Sequence, residues 1–416
     1  MVDKNLFLYD LAVAAIFKDE ARYLKEWLDY HLLAGVEHFY LYNNDSSDDF
    51  KEVLAPYVEE NLVTLTDWPG KLMQYPAYND ALEKFRFDCR YMAFIDLDEF
   101  IFPKSTRSVV EVVDEILSVD PNAAGLGINW QCFGSNGQID ADFSRGVLER
   151  FTRRAPSDWD DSGGKEGNVY KKIIANPRMI YLMENPHFAV YFNGKFDVNS
   201  NGEPISPWHG NDPILADKIV VNHYFLKSQE EYRTTKMKRG HSCSGINPYA
   251  EKRFYKYDRN DEFDDGILKY RDVRAKNFSF ESDGDRINRV VDSLAKTLTK
   301  NFYAESLDGK LETFLTCRAV AEKFQIKIGE HSAEEISLAR IHQILNEGNV
   351  STYADAQLLL EALPEILSRP FPLAKKFSQT FALKIFPTMI NTAINSKMWR
   401  EHKNLRSLQR LLESIQ

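Results

Sequence analysis

The segment Met92-Ala93-Phe94-Ile95-Asp96-Leu97-Asp98-Glu99-Phe100 sets two carboxylates two residues apart at the exit of an apolar run. In an extended chain that spacing turns both to the same side, and like charges so close repel unless a cation lies with them. Hard oxygen donors select magnesium or manganese, ions that also accept phosphate oxygens as ligands. The chemistry on offer is a cation site that receives an anionic nucleotide. A lone D-x-D is common as surface acids capping the next element. Here four apolar residues lead into it, as in a strand buried on both faces.

The elements before it must place that segment. Leu11 to Phe17 is an apolar run of strand length. Asp19 to Ala34 then spaces Tyr23, Leu24, Trp27, Leu28, His31 and Leu32 for a helix, with Gly35 at the C-cap. His38 to Tyr42 reads as a second strand, and the polar turn 43–48 caps a helix from Asp48 to Tyr57. Leu62 to Thr66 is a third strand, Tyr78 to Cys89 a helix, and Tyr91 to Leu97 a fourth strand. Alternation of this kind predicts an open α/β sheet, whose carboxyl edge is where ligands bind. A phosphatase of the haloacid-dehalogenase type is disfavoured. It needs D-x-D-x-T or V on its first strand, whereas Phe100 holds that position and the strand is the fourth.

From Gly125 to Val221 the pattern shortens into small strands and Gly-rich turns. Within it, Ser157 to Asn168 reads as a mobile loop beside the site. Residues 233–303 are polar and charged, and a helical pattern runs from Leu307. The expected organisation is a catalytic domain over 1–240, an irregular connection over 241–306 and a helical C-terminal region over 307–416.

The chain has 416 residues with 52 basic and 62 acidic side chains, a net charge of −10. That balance argues against nucleic acid as a partner. Four cysteines without a C-x-x-C pair argue against a zinc or iron–sulfur centre, and point to a reducing cytoplasm. The first residues read as a strand rather than a signal peptide, and no stretch has the length of a spanning helix. The tail differs. Residues 369–416 hold nine basic and two acidic side chains interleaved with Phe371, Phe377, Phe381, Phe386 and Trp399. Its basic aromatic character suggests peripheral contact with the inner face of a membrane, or a helical subdomain with a solvated basic face.

Residues 10–242 resemble glycosyltransferase family 92 and related family-2-like GT-A glycosyltransferases. The resemblance rests on AIFKDEARYLKEWLDYHLLAGVEHFYLYNNDSSD, AYNDALEKFRFDCRYMAFIDLDEFIFP, NWQCFGSNG and VNHYFLKSQEEYRTTKMKRG. It implies a GT-A (Rossmann-like) mixed sheet flanked by helices, a UDP-sugar donor, Mn2+ or Mg2+, and inversion at the anomeric carbon. Carried over by position, Phe17 and Glu20 belong to the nucleotide loop after strand one. Asn44 and Asp45 fall where the base and ribose are held. Arg86, Lys227, Lys238 and Arg239 would meet the diphosphate. Asp96, Asp98 and His223 would hold the metal, with Asp96 also at the donor.

Inversion needs a general base, expected to be a carboxylate. The sequence offers Asp158, Asp160, Asp161 and Glu166 in the Gly-rich loop and Asp197 beyond it; Asp161, Glu166 and Asp197 are carried as candidates. Trp130 and Phe133 suit an acceptor sugar, whose faces pack on rings, and are equally good core residues. His187 joins them and is also the rival to His223. The implied activity is transfer of a hexose to a hydroxyl of a glycan or lipid-linked glycan, in bacterial cell-surface polysaccharide or lipopolysaccharide assembly. Alternatives are a nucleotidyltransferase, disfavoured because KDEAR stands where a Gly-rich basic loop belongs, and an inactive nucleotide- or glycan-binding module.

Overall fold

The computed structural model describes residues 3–160, 166–192, 194–208, 210, 213–240, 247–268, 281–300, 316–317, 320–321 and 323. Four strands come first: β1 (Tyr9–Phe17), β2 (His38–Asn43), β3 (Val63–Asp67) and β4 (Cys89–Phe94). Between them lie α1 (Ala21–Ala34), α2 (Phe50–Glu59) and α3 (Gln74–Phe85). Then follow β5 (Glu99–Pro103), α4 (Val109–Leu117), β6 (Ala123–Cys132), α5 (Val147–Arg150), β7 (Arg153–Arg154) and β8 (Lys171–Ala175). The remaining strands are β9 (Ile180–Asn185), β10 (Phe188–Tyr191), β11 (Phe196–Val198), β12 (Ile219–His223) and β13 (Glu262–Phe263). The last described helices are α6 (Gln229–Thr234), α7 (Lys236–Arg239), α8 (Glu251–Tyr257) and α9 (Asp283–Lys300).

Nine strands form one sheet in the order β3-β2-β1-β4-β8-β6-β12-β5, with β11 paired to β6. The first four are parallel; β8 enters antiparallel between β4 and β6, and β5 closes the edge antiparallel to β12. This is the mixed α/β sheet with flanking helices expected of the GT-A class. Side chains of β1 alternate between two cores. Leu11, Val13, Ala15 and Phe17 pack with Leu24, Trp27 and Leu28 of α1, while Ala12, Ala14 and Ile16 pack with Ala77, Tyr78 and Ala81 of α3. A strand covered on both faces reads as a continuous apolar run, which is why β1 and β4 were visible in the sequence.

Helix α1 ends on Gly35 at φ 103°, a left-handed residue whose N–H returns to the last turn. Its buried polar groups hold β5. Trp27 Nε1 donates to the Glu99 carbonyl at 2.8 Å, Tyr30 donates to the Ile101 carbonyl at 2.9 Å, and His31 Nε2 accepts from the Ile101 N–H at 3.2 Å. One helix thus fixes the strand that starts at the acidic tetrad.

The stretch 241–306, expected as an irregular connection, contains α8 and α9. In α8, Phe254 and Tyr257 pack with Trp159, Phe225 and Tyr232 in a separate small core. In α9, Val290 and Leu294 are buried while Arg289 Nη1 reaches the Phe7 carbonyl at 2.9 Å and Ser293 donates to Asp3 at 2.8 Å. Charged residues between those few apolar positions hid both helices. No described helix is long and apolar enough to cross a membrane. The basic aromatic tail lies outside the described residues.

Candidate functional site

Strand β4 stops at Phe94, earlier than the sequence suggested, because the next residues form a turn built by their own side chains. Glu99 Oε2 accepts the Asp96 N–H at 2.9 Å, Glu99 N–H donates to the Asp96 carbonyl at 3.1 Å, and Tyr224 N–H donates to the Asp98 carbonyl at 2.8 Å. The tetrad is therefore pinned between β4, β5 and β12. Asp98 and Glu99 are buried, at 3% and 0% exposure, while the Asp96 carboxylate reaches solvent.

Two lysines serve the three carboxylates. Lys172, the second residue of β8 and 1% exposed, lies 2.9 Å from Asp96 Oδ2 and 3.3 Å from Glu99 Oε2. Gln74 Nε2 donates to Asp96 Oδ1 at 2.7 Å. Lys236 of α7 pairs with Asp98 Oδ2, and His223 Nε2 stands 3.6 Å from Asp98 Oδ1. Burial alone would raise the Asp98 carboxyl, but the Lys236 ammonium and then His223 hold it well below the carboxylate range. The Asp96 carboxyl is likewise raised by burial and brought below its ordinary value by Lys172. Glu99 has no such surplus. Its burial outweighs Lys172 and pushes its pKa up to about 8, and its Oε1 has no hydrogen-bond partner. Burial lowers His223 below its usual value despite Asp98, so the ring is neutral near pH 7.

These groups open onto a cleft of about 900 Å3 at the carboxyl edge of the parallel strands. Lys18, Lys71, Lys236, Lys238, Arg239 and Arg253 line it against Glu20, Asp96 and Asp98, six cations to three anions. The loop after β1 forms its floor. Arg239 Nη1 binds Glu20 Oε1 at 2.6 Å and also the Lys18 carbonyl, so α7 is clamped to that loop. The loops after β1 and β2 are zipped together. Asp19, at φ 51°, accepts from Ser47 N–H at 2.7 Å, and Ser46 Oγ accepts from Asp19 N–H at 3.0 Å. The opposite wall is aromatic. Trp130 stands 4.9 Å from Tyr170, 5.3 Å from His187 and 4.1 Å from His223, centroid to centroid, and Tyr257 and Tyr249 continue the wall.

The structure sorts the residues singled out from the sequence. Phe17, Glu20, Asn44, Asp96, Asp98, Trp130, His187, His223, Lys238 and Arg239 line the cleft. Asn44 also braces the rim, donating to the carbonyls of Trp68 at 2.8 Å and Gly70 at 2.9 Å. The rest are placed elsewhere. Arg86, expected at the diphosphate, is 2% exposed and spends its guanidinium on the carbonyls of Leu82, Pro177 and Ile180. Asp45 accepts from Gly70 N–H at 3.1 Å behind the rim. Lys227 is buried with its ammonium 4.3 Å from the Tyr23 ring centroid. Phe133 is core, 1% exposed and stacked on Tyr224 at 4.5 Å.

Of the carboxylates considered for the base, Asp197 lies in β11, 3% exposed and bound to the Tyr191 hydroxyl. A Cβ added at neighbouring Gly125 would overlap both groups. Glu166 accepts from Lys256 at 2.5 Å and from the Tyr257 hydroxyl at 3.3 Å, behind the aromatic wall. Asp161 lies outside the described residues. His187 Nδ1 faces the Lys171 carbonyl at 2.8 Å; a carbonyl only accepts, so that nitrogen carries the proton.

Sequence reasoning missed Lys172, Lys236 and Gln74. A signal existed for the first, a lysine inside the strand Lys171-Lys172-Ile173-Ile174-Ala175. For the second it was the position of Lys236 one turn after the capping box that Ser228 and Glu231 form.

As a metal centre, the described residues hold no group of three His, Cys, Asp or Glu side chains set to bind an ion. What they offer is Asp98 with His223 across from it and Asp96 at the rim. The donor types suit magnesium or manganese. Such ions are commonly held by one or two carboxylates with substrate phosphates completing the shell. The buried His223 Nδ1 has no hydrogen-bond partner.

Residues 11–205 match the model of Glycosyltransferase family 92. A family 92 protein of Oryza sativa subsp. japonica is 26% identical over 228 residues, 54% of this chain and 35% of its own. The galactan beta-1,4-galactosyltransferase GALS2 of Arabidopsis thaliana is 32% identical over 100 residues, 22% of this chain and 19% of its own. The chain thus spans about a third of the length of the rice protein. Among solved structures, S. aureus TarS 1–349 in complex with UDP aligns over 98% of this chain and 92% of its own, at 12% identity and TM-score 0.32. These curated relatives are plant proteins and lend no support to a bacterial setting. The family match includes the acidic tetrad and ends before His223. Across residues 11–205, just under half of its length, the chain is similar to glycosyltransferase family 92.

Proposed function

We propose that the chain is a glycosyltransferase that moves a hexose from a UDP-sugar to a hydroxyl of a glycan acceptor, with a divalent ion in the Asp98 site. The supporting observation is the division of one cleft into a cationic floor around Asp96 and Asp98 and an aromatic wall around Trp130. Departure of the diphosphate places charge on its oxygens. Lys18, Lys238 and Arg239 stand where they can receive it in a cleft already biased toward anions, and preorganised cations of this kind lower the barrier. A bound divalent ion would add Lewis-acid stabilisation of the same oxygens. It would be held by Asp98 and His223, with Asp96 through water. Asn44 and Phe17, which line the same cleft, would hold the nucleoside. The ring faces of Trp130, Tyr170 and Tyr257 offer the acceptor sugar an apolar platform with polar edges.

Galactosyl transfer is the first activity to examine, because GALS2 is named for it. The test is UDP release from UDP-galactose, UDP-glucose and UDP-N-acetylglucosamine, with Mn2+ and a pool of glycan acceptors. Release from at least one donor, abolished by chelation, is expected. Silence on every donor, together with no binding of UDP, would instead favour a glycan-binding module. The setting is proposed as the cytoplasmic side of a membrane, with lipid-linked glycan as the acceptor class.

A further inference from the structure

Two lysines neutralise the tetrad, and their surroundings differ. Lys172 rises from β8, a strand inside the sheet, 1% exposed, between two carboxylates that both need it. Lys236 sits on the four-residue helix α7, is 13% exposed, lines the cleft and serves one carboxylate oxygen, Asp98 Oδ2. The helix ends at Gly240, a residue at φ 79°, and is further tied by Arg239 to Glu20 and the Lys18 carbonyl and by Asn247, which donates to the Met237 carbonyl. A lysine is a compact charge on a flexible four-carbon stem, able to swing between anions along the cleft floor. The groups facing Asp98 include Lys236 and His223, the more distant Lys227 and Arg239, and the Asp96 carboxylate. A divalent ion bound on Asp98 with Lys236 still in place would meet an ammonium at contact distance, an arrangement like charges oppose.

We propose that Lys236 is an exchangeable resident cation of the Asp98 site. In the free protein it occupies the carboxylate oxygen that a divalent ion requires, and an entering diphosphate draws it away, so metal and nucleotide load together. The inference rests on the donor-site reading above. In chemical terms one ion pair, Lys236–Asp98, is exchanged for two, metal–Asp98 and Lys236–phosphate. The empty-cleft protein then discriminates against free metal, and nucleotide becomes the trigger for metal capture.

The test is Mn2+ binding to the full chain, followed by electron paramagnetic resonance of the free ion, with and without UDP. For the wild type, UDP is expected to tighten Mn2+ binding by about tenfold or more. Lys236→Met is expected to bind Mn2+ without nucleotide about tenfold more tightly than wild type, with a smaller gain from UDP. An unchanged Mn2+ affinity in Lys236→Met, with an unaltered circular dichroism spectrum and melting curve, would overturn the proposal. If that variant does not fold, Lys236→Arg decides. It keeps a cation on Asp98 and is expected to bind free Mn2+ no better than wild type; tighter binding would overturn the proposal. Absence of Mn2+ binding by the wild type even with UDP would overturn the donor-site reading itself, and this inference with it.

Discussion

Asp98→Asn is expected to lower donor turnover by about 10³-fold while leaving the fold intact, since removing one preorganised electrostatic contact in a shielded site costs that much. The substitution keeps the shape of the side chain and the backbone bond from Tyr224 N–H to the Asp98 carbonyl at 2.8 Å. It removes the charge that Lys236 and His223 hold in place. Lys236 is not stranded by the loss, because it lines the cleft and can turn toward solvent or phosphate. Melting should therefore shift little while UDP release collapses. Asp96→Asn should be milder, because that carboxylate is partly exposed and already committed to Lys172 and Gln74. Steady-state UDP release from the active donor measures both. An Asp98→Asn enzyme within tenfold of wild type would remove Asp98 from the chemistry.

The second large effect falls on stability. Lys172→Met is expected to cost about 3–5 kcal/mol at pH 8, because breaking a buried ion pair leaves uncompensated charge. Glu99 is fully buried and depends on Lys172 for its one cation at 3.3 Å. Acidification should restore most of the loss. The Glu99 pKa is raised by burial from 4.5 to about 8, so the folded protein binds the extra proton between those values. A raised carboxyl costs nothing below its unfolded pKa, and the cost grows as pH climbs through the folded value. Once protonated, Glu99 needs no ammonium, and the gap between variant and wild type should narrow toward about pH 5. Urea titrations at both pH values measure the gap. A gap that is constant with pH would mean that Lys172 acts by packing rather than charge.

Those two residues also show what a sequence can disclose about this site. The order of strands and helices up to Phe94 was legible because β1, β2 and β4 are buried on both faces and α1 has apolar residues on one side and a glycine stop, although α3 runs Gln74–Phe85 rather than Tyr78–Cys89 and Cys89 opens β4. The acidic tetrad was legible because a strand exit concentrates chemistry at the sheet edge. Its partners were not. Lys172 and Lys236 lie 76 and 138 residues from the carboxylates they neutralise, and no local pattern encodes contacts of that span. Arg86 was read as a phosphate ligand from its place before the tetrad. A guanidinium has five donors, and a helix end beside a turn supplied carbonyls for it first. Phe133 and Trp130 are three residues apart in one block, and sequence had no means to tell them apart. The ladder of β6 against β12 does, with Trp130 at the cleft and Phe133 just past the strand end against Tyr224. The helices α8 and α9 were missed because their buried residues are few and surrounded by charge.

On this reading the cleft at Asp98 binds a nucleotide diphosphate together with a divalent ion. Calorimetric titration of UDP into the wild-type chain tests it most directly, once with Mn2+ and once with chelator. Saturable binding at one site is expected with Mn2+, weakened by about tenfold or more when the ion is removed. UDP affinity that is the same with and without the ion, or no UDP binding under either condition, would contradict it.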